Sequence, residues 1–157
     1  MKKFELTAEF VTNVFGKKLF RIKALVAFGN VEKGELGGFI EKEDNLSHGG
    51  NAWVFGNARV SGDAWVSGDA RVSGNAQVFG NADYAVVTGF GRYFRATTFF
   101  RCKDKILRIQ CGCFYGDLAQ FREIVKKTHG DSKYAKEYLA IADLMELHFS
   151  DECGGEQ

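Results

Sequence analysis

From Asn51 to Asp83 the chain reads NAWVFG, NARVSG, DAWVSG, DARVSG, NAQVFG and NAD, a repeat with a period of six. Val54, Val60, Val66, Val72 and Val78 fall in register, and Tyr84 takes the next slot. Self-similarity this regular constrains a fold more tightly than any composition does. A β-branched residue every sixth position, with a small alanine four further on, suits a coil of short parallel strands. Valine then fills the interior and alanine fits beside a corner. Gly-Asn and Gly-Asp turn the chain, because these residues tolerate left-handed backbone conformations. Three units, about 18 residues, make one turn. Leu36-Gly37-Gly38-Phe39-Ile40-Glu41 extends the register backwards; Lys42 to Ser47 fits poorly, and His48 to Trp53 fits apart from His48. The reading is about three coils over residues 36–89, a stub roughly 15 Å tall at a spacing of about 4.8 Å. So short a solenoid needs caps or partners at its ends.

Residues three units apart should stack on one outer face: Trp53 over Arg71, Arg59 over Gln77, Trp65 over Asp83. Trp53 and Arg71 are placed for a cation–π contact. Exposed tryptophans on a flat face mark a subunit interface more often than a ligand cage, so Trp53, Trp65 and Arg71 are the expected interface residues.

The flanks read differently. In residues 1–35, Phe4, Leu6, Ala8 and Phe10 alternate, Asn13 to Lys17 turns, and Phe20, Ile22, Ala24, Val26 and Phe28 alternate again, a hairpin expected to cap the first coil. Residues 90–150 read as a small α+β module, a hairpin followed by two helices. Its hairpin turns at Asp104-Lys105 and pairs Cys102 with Leu107, Phe100 with Ile109 and Thr98 with Cys111. That register sets Arg101 directly across from Arg108, which is unfavourable unless a carboxylate, Glu123 or Asp117, or a bound anion lies between them. Asp117 with Gln120 forms a capping box for the first helix, with Leu118, Phe121, Ile124 and Val125 as its apolar stripe. Ser132 or Asp131 starts a second helix running to Phe149, and residues 151–157 read as a frayed tail.

With 45% hydrophobic residues, the chain of 157 residues can bury a core. A net charge of +1 argues against bulk electrostatic binding of duplex DNA. No apolar run approaches the roughly 20 residues that cross a bilayer, and the start lacks a signal peptide's hydrophobic stretch, so a cytoplasmic location without membrane contact is expected.

Catalytic patterns are scarce. Cys102, Cys111, Cys113 and His129 lack the spacing of a zinc knuckle, and reduced cysteines in a cytoplasmic core are the better reading, so no metal or cofactor is expected. His48, His129 and His148 read as structural. A P-loop and a Gly-rich dinucleotide motif after a strand are absent. What remains is a cluster of Arg92, Arg95, Arg101, Lys103, Lys105 and Arg108 among Tyr93, Phe94, Phe99 and Phe100. Interleaved basic and aromatic residues hold nucleotides by charge and stacking. Arg92, Tyr93, Arg95, Phe99, Arg101 and Arg108 are therefore the candidate ligand-binding set.

Gly34-Glu35-Leu36-Gly37-Gly38-Phe39-Ile40-Glu41, Asn45-Leu46-Ser47 and Gly50-Asn51-Ala52-Trp53-Val54, with the repeats that follow, resemble the hexapeptide-repeat proteins of tailed phages and prophages. The resemblance covers roughly residues 18–84. The part from Arg101-Cys102 to Gly130-Asp131 also looks like a module attached to such repeats. The resemblance implies a mainly β fold: a short left-handed parallel β-helix of about three coils, with the hairpin cap and the α+β module. It implies a homo-oligomer, typically a trimer, in the host cytoplasm. Accessory phage proteins of this sort commonly counter host defence, which implies a non-catalytic protein sequestering an anionic, nucleotide-derived signal. The alternatives are a protein–protein inhibitor of a host defence enzyme or CRISPR complex, and a hexapeptide acyltransferase, a reading that acetyl-CoA turnover lost on His48→Ala would revive.

Overall fold

The computed structural model describes residues 2–80, 83–92, 95–112 and 114–150. Among these, eleven strands and two α-helices follow one another. The strands are β1 (Phe4–Thr12), β2 (Lys18–Ala24), β3 (Leu36–Ile40), β4 (Trp53–Val54), β5 (Arg59–Val60), β6 (Arg71–Val72), β7 (Gln77–Val78), β8 (Tyr84–Val87), β9 (Thr97–Arg101), β10 (Leu107–Cys111) and β11 (Phe114–Asp117). The helices are α1 (Leu118–His129) and α2 (Lys133–His148), and a short 3-10 turn spans Glu43–Asn45.

These strands form three separate sheets, ordered β1-β2-β3-β5-β7, β4-β6 and β11-β10-β9-β8. The fold is thus mixed α/β. The mainly β architecture expected from the repeat, a left-handed parallel β-helix, is not what the sheets form. Two physical causes account for the difference. Each repeat unit yields at most a two-residue strand, because turn residues take the rest of the period. The N-terminal hairpin does not lie across an open end either. It pairs edge-on, β2 running antiparallel to β3, so the sheet that holds β5 and β7 is mixed.

Within that arrangement the repeat packs by its period. All five register valines are fully buried, as are the alanines at 52, 58 and 70. Trp53 pairs in parallel with Arg71, and Arg59 with Gln77. Burying a valine contributes about 1.5–3 kcal/mol, so the repeat interior carries much of the stability here. Trp53 is part of it: its ring is fully buried, edge-on to Phe28 at 5.2 Å. Its expected place on an exposed interface is therefore corrected. The Arg71 guanidinium sits over Phe55, at 4.7 Å, rather than over Trp53. Trp65 is 53% exposed.

The second core lies between the four-stranded sheet and the helices, where Phe99, Ile109, Phe121, Val125, Tyr138, Ile141 and Met145 meet. β9 joins the two cores. Phe99 faces the helices, while Phe100 packs into the repeat core beside Cys102. A strand covered on both faces is apolar at successive residues, and all of Thr97 to Phe100 are buried. The helices are tied to each other by Arg122, which reaches Asp143 at 2.8 Å and Glu146 at 2.7 Å. Among the described residues no helix is long and apolar enough to cross a membrane.

The β9–β10 hairpin pairs one residue away from the expected register. Arg101 faces Leu107, Arg108 faces Phe100 and Ile109 faces Phe99. Cys102 is drawn out of the hairpin into a bridge with Ala76, and the Lys103 amide donates to the Asn75 carbonyl at 2.9 Å. Lys105 takes a left-handed φ of 68° to close the longer loop. A one-residue slip sends each side chain to the other face of its strand relative to its neighbours, so Arg101 and Arg108 do not oppose each other.

Candidate anion-binding cleft

Local sequence signals place the walls of this cleft. Asp117 accepts the Gln120 amide at 2.8 Å, while the Gln120 side chain accepts the Asp117 amide at 2.9 Å, and this reciprocal cap starts α1. Ser132 accepts the Ala135 amide at 3.3 Å and starts α2. The helices pack their apolar stripes on β9 to β11. Toward the C-terminal end of α1 the packing leaves a cleft of about 310 Å³.

Phe114, Phe121, His129 and Tyr138 wall that cleft, Cys111 borders it, and Arg92 and Arg95 supply its charge. The rings are held in place by one another. His129 stacks on Tyr138 at 5.8 Å, and Tyr138 stands edge-on to Phe121 at 5.9 Å. Burial pushes the Tyr138 phenol above its ordinary range, so it is a neutral donor at physiological pH. The phenol donates to the Phe90 carbonyl at 3.4 Å, and the Gly91 amide donates to Glu137 at 2.9 Å. These two bonds fix the loop that carries Arg92. Gly91 has no room for a side chain, since a Cβ there would lie 2.1 Å from the Tyr138 hydroxyl.

Arg95 is positioned by another missing side chain. A Cβ on Gly112 would lie 2.2 Å from the Arg95 Nη1, so the guanidinium rests directly on the end of β10. The Gly112 carbonyl accepts from Gln110 at 2.9 Å, and Gln110 accepts from Ser73 at 2.9 Å, which anchors this corner to the repeat. Inside the cleft the Cys111 Sγ accepts from the Thr97 hydroxyl at 3.2 Å.

The six residues singled out from sequence do not form one surface. Arg92 and Arg95 share the cleft. Tyr93 lies outside the described residues. Phe99 is fully buried in the core beneath the helices. Arg101 pairs with Asp83 at 3.1 Å, sits over the Phe149 ring and borders a different cleft with Lys103 and Lys105. Arg108 grips Asp104 through both terminal nitrogens, at 3.1 and 2.9 Å. The carboxylates that pair with the two arginines are thus Asp83 and Asp104; of the two expected, Glu123 or Asp117, Asp117 does lie directly across from Arg108 in the β10–β11 pairing, with its carboxylate turned to cap α1. Tyr138, His129 and Phe121 escaped the sequence reading as site residues, because aromatic residues at helical spacing look the same in any core. The one local hint was His129 at a helix end.

Both ring nitrogens of His48 are engaged. Nδ1 accepts the Lys3 amide at 3.0 Å and Nε2 lies 2.6 Å from Glu43, while Phe4 stacks on the ring at 4.2 Å. That leaves no ring nitrogen free to take a proton from a substrate. Among the described residues no group of three or more His, Cys, Asp or Glu side chains is arranged to hold a metal ion. No protein-family model matches the chain, and no curated protein matches it.

Proposed function

We propose that this is a non-catalytic binding protein that captures a small anionic ligand of the nucleotide class in the cleft beside α1. The observation that carries the proposal is the meeting of two guanidinium groups, Arg92 and Arg95, with the half-buried rings of Phe114 and His129 in one opening, floored by the buried Phe121 and Tyr138. Aromatic faces take a base sequence-tolerantly, and an arginine fork suits phosphate oxygens. The biological reading follows the sequence resemblance: a phage-encoded protein in the host cytoplasm that withholds a nucleotide-derived defence signal. A homo-oligomer, with a trimer as the expected form, belongs to the same proposal.

The test is ligand retention. Native mass spectrometry of protein purified from defence-active cells, before and after denaturation, reports subunit number and any released small molecule. The Arg92→Glu/Arg95→Glu variant should lose retention while keeping its oligomeric state. The Arg101→Glu/Arg108→Glu variant should still carry the ligand. Undiminished retention in the first variant overturns the cleft assignment.

A second reading, a protein–protein inhibitor of a host defence enzyme or CRISPR complex, is favoured by the exposed Trp65. In that case Trp65→Ala weakens capture of the host protein, and the cleft variants leave it unchanged.

A further inference from the structure

Arg95 borders a second cleft as well as the aromatic one. This second opening, of about 320 Å³, is lined by Arg71, Asn51 and Asp69 from the repeat, by Gly29 from the N-terminal segment, and by Ala96 and Gly112 beyond the repeat. The two clefts meet at the end of β10, where Cys111 edges one and Gly112 the other. They are neighbouring compartments that share Arg95 in their lining.

Arg71 is built into this second compartment. Its amide donates to the Thr98 hydroxyl at 3.0 Å, its guanidinium lies over Phe55 at 4.7 Å, and its Nη1 donates to Asn30 at 3.0 Å. The Nε, by contrast, is buried without a hydrogen-bond partner. Burial lowers the Arg71 pKa, the direction expected when a charge is removed from water and incompletely compensated. Asp69 lines this compartment with the two arginines, and Glu35 acts on Arg71 as a nearby negative charge. The Nε itself is sealed from solvent, so an anion in the compartment meets Arg71 as a lining guanidinium charge rather than through that N–H.

We propose that the two compartments form one elongated site, and that its ligand is a nucleotide carrying a second phosphate. The base lies against the aromatic rings, the first phosphate at Arg95 and the second at Arg71. This rests on the cleft assignment above and extends it. An aromatic compartment beside a single anion site suits a nucleoside monophosphate. A second arginine beyond the first gives a preference that grows with phosphate number.

Isothermal titration of the full chain with AMP, ADP, GMP and GDP tests it. Each diphosphate should bind about tenfold or more tightly than its monophosphate, the scale of one added charge-assisted hydrogen bond. Arg71→Gln should erase that difference and leave monophosphate affinity unchanged, with the unchanged monophosphate value reporting an intact fold. If Arg71→Gln loses monophosphate binding as well, Arg71→Lys is read instead. It keeps the charge and the stem but not the planar fork, and should narrow the difference. Equal binding of mono- and diphosphates to the unaltered protein overturns the two-phosphate inference and leaves the cleft assignment standing. Binding of none of the four overturns both.

Discussion

Lys3 shows how far a single residue can depart from its local appearance. It sits beside a strand whose pattern reads as a capping hairpin, and as a lysine it would ordinarily face water, yet it is only 3% exposed. Its ammonium donates to the Ala52 carbonyl at 2.7 Å and sits 4.6 Å from the Phe28 ring centre. The Lys3 amide meanwhile donates to His48. One residue therefore ties the N-terminal strand to the start of the repeat. Burial pushes the Lys3 pKa down to about 8, from 10.5. The unfolded chain thus holds a proton that the folded chain releases between those two values. Stability should rise as pH climbs from about 8 to about 10.5, since the unfolded state binds more protons there. Thermal unfolding across that range should show the melting temperature rising in the unaltered protein relative to Lys3→Met, in which this contribution is absent. A rise of the same size in both proteins would contradict the assignment.

Among the elements, the helices follow local rules closely. The Asp117–Gln120 cap and the Ser132 cap are legible because capping chemistry acts within three residues and needs no knowledge of the rest of the chain. Asp117→Ala should destabilise the protein by about 1 kcal/mol, read as a lower urea midpoint at unchanged slope. The β9–β10 hairpin is the opposite case. Asp104-Lys105 does lie in the turn, but the register is one residue away from the simplest pairing. The deciding contacts are those of Cys102 with Ala76 and of Lys103 with Asn75, partners remote in sequence. Counting alternation outward from the turn could not include them. The slip separates Arg101 from Arg108 and moves the candidate site to Arg92 and Arg95. Those two arginines were legible as members of a basic–aromatic cluster. The rings that complete the cleft were not, since Phe121 and Tyr138 lie on two helices that meet only in the packed molecule.

At the scale of the whole molecule, two cores share one strand. Phe99 and Phe100, adjacent in β9, are both fully buried, in different cores. The two tryptophans of the repeat, similar in local sequence, have opposite roles in this arrangement. Trp53→Ala empties a fully buried site and should cost about 3–5 kcal/mol. Trp65→Ala, at a site 53% exposed, should cost clearly less than that. Parallel chemical denaturation of the two variants checks the contrast, and equal losses would show that the burial pattern is wrongly assigned.

The sequence by itself determined that the register valines and their alanines go inside along the repeat, though not that Trp53 does, and it determined where the helices begin and where the chain turns. Those properties follow from side-chain size, backbone preference and hydrogen bonds to near neighbours, all of which act over a few residues. Only the tertiary structure decided how the strands divide among three sheets, that the N-terminal hairpin joins β3 edge to edge, and which arginines share a cleft. Strand partners and register depend on contacts between distant segments. Short two-residue strands bring too few hydrogen bonds of their own to dictate that choice.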